Sequence, residues 1–330
     1  MSPSHNLLVL YTGGTIGMQM SAAGLAPASG FEARLRAEQA AHPERPVPAW
    51  RFQELSPPID SANMRQANWL AMRDAIVAAV DEQGVDAVLL LHGTDTLAYS
   101  AAALSFLLLG IQVPVVLTGS MLPAGSPDSD AWPNLFGALE RLSAGVAPGV
   151  HLYFAGKLLH GARAGKLNSE AFDAFAELPR PRHGQRLDGL PAALHYRMPR
   201  REVSLAVQPL FPGLCAEQLR AVLTGGAEAL LLECYGSGTG PAEDAEFLAA
   251  LREAHERGVV LAAISQCPQG HMDFGVYAAG SALAGAGLVS GGGMTREAAL
   301  GKLFGLLGAG LPPAEVERLF GLDLCGELAD

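Results

Sequence analysis

Short apolar runs, each followed closely by glycine, restrict the possible folds of this chain more than any other feature. Runs at 6–11, 86–91 and 113–118 have the length of buried strands. A stretch rich in alanine and leucine at 96–109, between the second run and the third, is long enough for a helix. A strand, a helix and a second strand in succession predict a parallel sheet.

The same alternation continues along the chain, with one interruption. It predicts further helices at 134–142, 215–223, 242–257 and 295–307, and further strands at 150–155, 227–233 and 259–265. Residues 178–208 interrupt it, since they are rich in proline, arginine and histidine and lack sustained periodicity. The sequence therefore predicts an α/β protein with a larger N-terminal domain (1–185), whose mostly parallel sheet is flanked by helices, an irregular linker (186–208) and a smaller C-terminal α/β domain (209–330).

The composition disfavours several classes of function. The chain has 22 basic and 33 acidic residues, a formal net charge of −11, so nucleic acid is not an expected partner. Its apolar stretches at 104–109 and 282–289 fall well short of the ~20 residues of a membrane helix, and residues 1–5 have no basic segment of a signal peptide. The four cysteines lack CxxC spacing. We therefore expect a cytoplasmic protein without membrane contact, zinc or disulfides, with reduced and mostly buried thiols.

Two polar segments directly follow predicted strands and are the first candidates for a ligand site. They occupy residues 12–17 (TGGTIG) and 92–96 (HGTDT). Ligands bind open parallel sheets outside the carboxyl ends of the strands. The first segment lacks the GxGxxG order of a dinucleotide site. Its glycines can instead expose Thr12 and Thr15, although both threonines can equally serve as helix caps.

The second segment adds a hydroxyl and a carboxylate, Thr94 and Asp95. A hydroxyl nucleophile needs a base, and a lysine with a depressed pKa can act as one. Only three lysines are present, and Lys166 is the candidate by position, since it lies in a polar stretch after a predicted strand. A helix cap for Asp95 and a surface position for Lys166 remain open alternatives. GxSxG and HExxH motifs are absent.

Together these residues resemble a known family. The segments 12–17 and 92–96 and the later Lys166 are similar to the two signature segments and the catalytic lysine of bacterial L-asparaginases. The resemblance covers nearly the whole chain, including 118–120 and 293–295, and points to the cytoplasmic type I branch. It implies homodimers, or dimers of dimers, with active sites at a subunit contact.

The resemblance also implies roles for individual residues. Thr12 would attack the amide carbon of L-asparagine, while Thr94, Asp95 and Lys166 would form a proton-accepting triad, without metal or organic cofactor. Backbone N–H groups near Thr94 and near Gly13 or Gly14 would form the oxyanion hole. The substrate-binding residues implied by the resemblance are Asp60, Ser61, Gly93 and Ser120.

Three positions depart from the family pattern. Leu25 stands where a loop tyrosine that contacts the nucleophile is usual, and Tyr11 is one candidate to replace it. Thr239 stands where many relatives have asparagine, and Glu233 aligns near an arginine that binds a second asparagine in some cytoplasmic relatives. Hydrolysis of glutamine or of a larger amide, and a non-catalytic amino-acid-binding protein of the same fold, remain alternatives. The short chain without an appended domain favours the free amino acid.

Overall fold

The computed structural model describes residues 6–21, 24–45, 47–181 and 183–329, and the chain divides into two compact units, Met1–Glu177 and Leu178–Asp330. The second unit thus starts before the linker expected at 186–208. The domain boundaries expected from the sequence stay a prediction.

The first unit contains strands and helices in alternation. Its helices are α1 (Phe31–Ala41), α2 (Gln66–Gln83), α3 (Leu97–Leu107) and α4 (Ala131–Ala144). Its strands are β1 (Leu7–Gly13), β2 (Gln19–Ser21), β3 (Gly24–Ala26), β4 (Trp50–Ile59), β5 (Ala87–Leu91), β6 (Pro114–Thr118), β7 (Gly149–Phe154), β8 (Lys157–His160), β9 (Ala164–Lys166) and β10 (Phe175–Glu177). The strands and helices predicted for this half of the chain are confirmed, with ends that differ by a few residues.

Six strands of the first unit form one sheet in the order β4-β1-β5-β6-β7-β8. All neighbours are parallel except β7 and β8, which confirms the mostly parallel sheet. Every residue of β1, β5 and β6 is buried. The chain leaves β1 for β4 on one side, whereas β5 lies on the other side, so the carboxyl ends of β1 and β5 border a switch point of the topology. Such a point is where open α/β sheets bind ligands.

The segment from 31 to 83, which had no predicted elements, holds α1, β4 and α2. β4 is an edge strand that pairs only with β1 in this sheet, and it contains Pro57 and Pro58. An edge strand tolerates proline because one of its sides needs no backbone donor. The two prolines therefore hid β4 from prediction by its apolar pattern.

The second unit has a four-stranded parallel sheet in the order β11-β12-β13-β14. Its strands are β11 (Leu205–Pro209), β12 (Ala229–Cys234), β13 (Val260–Ser265) and β14 (Leu288–Ser290), and its helices are α5 (Ala216–Thr224), α6 (Ala245–Glu256), α7 (Ala278–Gly285), α8 (Arg296–Gly308) and α9 (Pro313–Phe320). The strands and helices predicted here are confirmed. β11 corrects the prediction, because it begins inside the stretch 178–208 that we expected to be irregular. It is a partly exposed edge strand, which explains its weak apolar signal.

A buried ion pair holds the C-terminal segment of the second unit. Lys302 on α8 contacts Glu327 at 2.6 Å, and both side chains are fully buried. Glu327 also accepts hydrogen bonds from the backbone N–H groups of Leu324 and Cys325. The C-terminal segment is therefore anchored to α8 by a charge that is completely enclosed.

All four cysteines are free thiols, but Cys234 alone is buried, Cys215 and Cys325 are partly buried, and Cys267 is exposed. The expectation of mostly buried thiols was wrong. Within the described part of the chain, no helix is long and apolar enough to cross a membrane.

Candidate active site

Thr12 lies at the carboxyl end of β1, with its hydroxyl turned towards β5. Its Oγ1 donates a hydrogen bond to the carbonyl oxygen of Leu91 at 2.9 Å, and the residue is almost completely buried. The pairing of β1 with β4 is irregular between Tyr11 and Gly13, which is the point where Thr12 sits. The register of β1 against β5 therefore places this hydroxyl at the switch point of the sheet.

The loops after β1 and β5 touch through glycines. A Cβ atom on Gly14 would lie 2.2 Å from the backbone nitrogen of Gly93, and one on Gly93 would lie 2.5 Å from Ser61 Oγ. Gly14 also has a φ of +81°, which disfavours residues with a side chain. Three strand ends therefore converge at distances that only glycine permits.

Thr94, Asp95 and Lys166 form a connected group. Lys166 Nζ donates to Thr94 Oγ1 at 3.0 Å and contacts Asp95 Oδ1 at 2.9 Å. Thr94 is buried, the Lys166 side chain is 20% exposed and the Asp95 side chain is 62% exposed. Lys166 ends β9, which pairs with β10 in a two-stranded antiparallel sheet, so residues 71 and 72 positions apart meet at one site.

Asp60 and Ser61 follow β4 on the other side of the switch point. The Asp60 carboxylate caps a short 3-10 turn, Ser61–Asn63, by accepting from the N–H of Ala62 at 3.2 Å. The Thr96 hydroxyl donates to the Ser61 carbonyl at 2.9 Å and so ties this turn to the loop after β5. This turn lies beside Gly93, since a Cβ atom on Gly93 would meet the Ser61 side chain.

Ser120 follows β6 and is fully buried, and its Oγ donates to the carbonyl oxygen of Leu122 at 2.5 Å. Two residues that the sequence did not single out hold its loop. The Asp130 carboxylate accepts from the N–H groups of Met121 and Leu122, and the Asn134 side chain donates to the carbonyl of Gly119 at 3.0 Å. Their only sequence signal was a position near the start of a predicted helix.

His92, the first residue of the second polar segment, is enclosed. It is fully buried, and burial lowers its pKa from 6.5 to about 4, although a hydrogen bond to the Gly93 carbonyl raises it in part. Its Nε2 lies 2.8 Å from Ser100 Oγ. A buried, hydrogen-bonded histidine is unsuited to taking a proton from a substrate at neutral pH.

Tyr11, the candidate to replace the loop tyrosine, is enclosed in the core of the first unit. It is fully buried, its hydroxyl donates to the carbonyl of Ala28 at 2.9 Å, and its ring stacks on Phe31. Burial also raises the pKa of Tyr11 to about 12. Leu25 lies on β3 and is half exposed, whereas Ala22 and Ala23 of the same loop are outside the described residues.

The two departures in the second unit have identifiable contacts. Glu233 is buried on β12 and is bound through both carboxylate oxygens by Arg296, with Oε2 at 2.7 Å from Nη2. The Thr239 hydroxyl lies 3.4 Å from the carbonyl oxygen of Tyr235, within its own turn. The negative charge of Glu233 is therefore balanced by an arginine of the same unit.

The arrangement in the first unit has the parts needed for acyl transfer: a hydroxyl at a strand end, a second hydroxyl bound to an amine, and nearby backbone N–H groups. No group of three or more histidine, cysteine, aspartate or glutamate side chains among residues 6–21, 24–45, 47–181 and 183–329 is placed to hold a metal ion. The expectation that no cofactor is needed stays a prediction.

Comparison with known proteins identifies matches over both units. The family models described as "Asparaginase, N-terminal" and "Glutaminase/Asparaginase C-terminal domain" match residues 6–197 and 205–320. L-asparaginase 1 of Escherichia coli K12 is 38% identical over 98% of each chain. A crystal structure of L-asparaginase I from Vibrio cholerae is 34% identical, covers all of both chains and superposes with a TM-score of 0.87. The human 60 kDa lysophospholipase is 35% identical over 99% of this chain, which spans 62% of that protein.

Proposed function

Since this chain belongs to the asparaginase family, we propose that it hydrolyses the side-chain amide of L-asparagine to L-aspartate and ammonia. The membership confirms the resemblance drawn from the sequence. One observation carries the proposal: the amine of Lys166 contacts both Thr94 and Asp95 beside the strand end that holds Thr12. A protein that only binds an amino acid has use for Asp95 but not for a hydroxyl joined to an amine.

In the proposed reaction, Thr12 Oγ attacks the amide carbon and the C–N bond breaks. In the resting site the Thr12 hydroxyl donates a hydrogen bond to the Leu91 carbonyl. Its proton must pass to a base as the new C–O bond forms. The nitrogen leaves as ammonia after it gains a proton, and an ester with Thr12 remains. Water then cleaves this ester, releases aspartate and restores the hydroxyl.

The group formed by Thr94, Asp95 and Lys166 handles the protons. In this proposal the Lys166 amine accepts a proton through Thr94 Oγ1, and the neighbouring carboxylate of Asp95 stabilises the ammonium that forms. Backbone N–H groups of the loops after β1 and β5 stabilise the oxyanion.

We assign substrate recognition to Asp95, Asp60, Ser61, Gly93 and Ser120. The exposed carboxylate of Asp95 can also pair with the substrate ammonium group, because a charge-assisted hydrogen bond of this kind orients the amide as well as binding it. The hydroxyl of Ser120 is enclosed and bonded to the Leu122 carbonyl, so we propose that Ser120 acts by holding its loop in place.

The deciding measurement is ammonia release from L-asparagine by the purified protein, with Thr12→Ala and Lys166→Met beside it. We expect each variant to lose at least about a thousandfold in kcat while the fold stays intact. Lys157→Met is the matched control, since Lys157 pairs with the exposed Asp173 and lies outside the proposed triad. If both site variants keep near-normal rates, the assigned mechanism is wrong.

The same assay separates the alternatives. L-glutamine measured in parallel gives the preference between the two amides. A lack of ammonia release from both favours a larger amide substrate or a binding role. We further propose a cytoplasmic homodimer or dimer of dimers, on the likeness to type I relatives. Cell fractionation and light scattering test these two points.

A further inference from the structure

A series of hydrogen bonds, buried at Ser100 and His92, joins two helices to the loop that carries Thr94. The Trp69 indole N–H on α2 donates to Ser100 Oγ on α3 at 2.8 Å. Ser100 Oγ lies 2.8 Å from His92 Nε2, and His92 Nδ1 lies 2.6 Å from the Gly93 carbonyl oxygen. Ser100 and His92 are both fully buried, so water does not substitute for these partners.

The direction of each hydrogen bond follows from the groups involved. The Gly93 carbonyl can only accept, so His92 Nδ1 carries a proton. Burial lowers the pKa of His92 to about 4, so the ring holds a single proton and Nε2 must accept from Ser100. An indole N–H can only donate, so Ser100 Oγ accepts from Trp69. The Gly93 carbonyl therefore selects the Nδ1–H tautomer, and the Ser100 hydroxyl proton, which Trp69 does not use, is available to Nε2.

This tautomer fixes the orientation of the next peptide group. The carbonyl and the N–H of a planar trans peptide point in opposite directions. Holding the Gly93 carbonyl against His92 therefore sets the direction of the Thr94 N–H. It also sets the start of the short turn Thr94–Thr96, which bears the hydroxyl and the carboxylate that contact Lys166.

We propose that His92 is a positioning residue: Trp69 and Ser100 hold its Nδ1–H tautomer, which orients the Gly93–Thr94 peptide for amide hydrolysis. The inference rests on the function proposed above. Its effect falls on kcat rather than KM, because the Thr94 hydroxyl and N–H act on protons and charge that develop in the transition state.

The kinetic test uses Ser100→Ala, His92→Asn and Trp69→Phe, with L-asparagine as substrate. We expect Ser100→Ala and His92→Asn to lower kcat at least about tenfold with KM changed less than about threefold. Trp69→Phe keeps an aromatic ring and removes only the donor, so we expect a smaller loss in the same direction. Thermal unfolding of each variant shows that it is folded.

Two matched controls separate positioning from general damage to the core. Ser105→Ala removes a hydroxyl from the same helix, where it bonds only to the carbonyl of Ala101 at 2.8 Å among the contacts that the structure describes. Trp50→Phe removes an indole N–H that bonds to Gln39 at 3.0 Å, away from the proposed site. We expect both controls to keep the wild-type kcat.

A spectroscopic test does not depend on activity. In protein labelled with ¹⁵N-histidine, the His92 signals, assigned by their loss in His92→Asn, should show protonated Nδ1 and unprotonated Nε2. Ser100→Ala should add a population of the Nε2–H tautomer, because only the Gly93 carbonyl is then left to select the position of the proton. A wild-type Nε2–H tautomer, or wild-type kcat in both Ser100→Ala and His92→Asn, overturns the inference. If the wild type releases no ammonia, the proposed function fails, whereas the tautomer still decides whether the series holds His92 as described.

Discussion

The burial of His92 gives the first unit a pH dependence whose size can be worked out. Its pKa falls from 6.5 to about 4 in the folded chain, mainly because burial penalises the imidazolium form. As the pH drops through 6.5 the unfolded chain takes up a proton that the folded chain does not bind until about pH 4. The stabilising contribution is therefore complete above pH 6.5 and is lost as the pH falls to about 4. It amounts to about 2 kcal/mol between pH 7 and pH 5 and about 3 kcal/mol by pH 4.

Urea unfolding followed by tryptophan fluorescence measures this loss of stability in the first unit. Trp50, Trp69 and Trp132, the three tryptophans of the chain, all belong to the first unit, as His92 does. The variant His92→Asn cannot titrate, so we expect its free energy of unfolding to fall by about 2 kcal/mol less than that of the wild type between pH 7 and pH 5. Protein concentration is held fixed, because assembly also affects stability. Parallel pH profiles for the two proteins would refute the reasoning.

The remaining predictions concern backbone contacts, a buried charge and metal dependence. Gly14→Ala forces a Cβ to within 2.2 Å of the Gly93 nitrogen at positive φ, so we expect a loss of about 2 kcal/mol or more in urea unfolding together with most of the activity. Gly125→Ala meets no atom within 4 Å, and a similar loss there would contradict the steric explanation. Lys302→Met leaves the buried Glu327 without its cation, and we expect about 3–5 kcal/mol of destabilisation. Adding Glu327→Gln should recover part of it, and an unchanged melting temperature for Lys302→Met alone would be the contrary result. Ammonia release should be unaffected by dialysis against EDTA, whereas a loss restored by zinc or magnesium would disprove independence from metal.

The parallel sheets could be predicted because their central strands are short, wholly apolar runs. β1, β5 and β6 are buried along their whole length and carry no competing signal. β4 and β11 escaped prediction because both are edge strands with partly exposed residues and proline. Apolar periodicity depends on burial, so prediction from it misses strands that are partly exposed.

The residues of the candidate site also include some that the sequence could place and some that it could not. Thr12 and Thr94 could be placed near each other from the sequence, since residues that follow neighbouring parallel strands meet at one edge. Lys166 comes from a separate hairpin, and its contact with Asp95 depends on the packing of that hairpin rather than on any local pattern. The partners of His92 could not be inferred, because Ser100 reads as an ordinary residue of a predicted helix and Trp69 lies in the segment from 31 to 83, where no element was predicted.

The fold and the proposed chemistry depend on the same register. Thr12 donates to the carbonyl of Leu91 on β5, and the N–H of His92 donates to the carbonyl of Thr118 on β6 at 2.9 Å. A shift of one residue in any of these strands would turn its side chains to the opposite face of the sheet. The apolar residues that make such a shift unfavourable therefore also fix where the hydroxyl of Thr12 points. Substitutions deep in β1 or β5 should consequently impair the site through register, without any contact with the substrate.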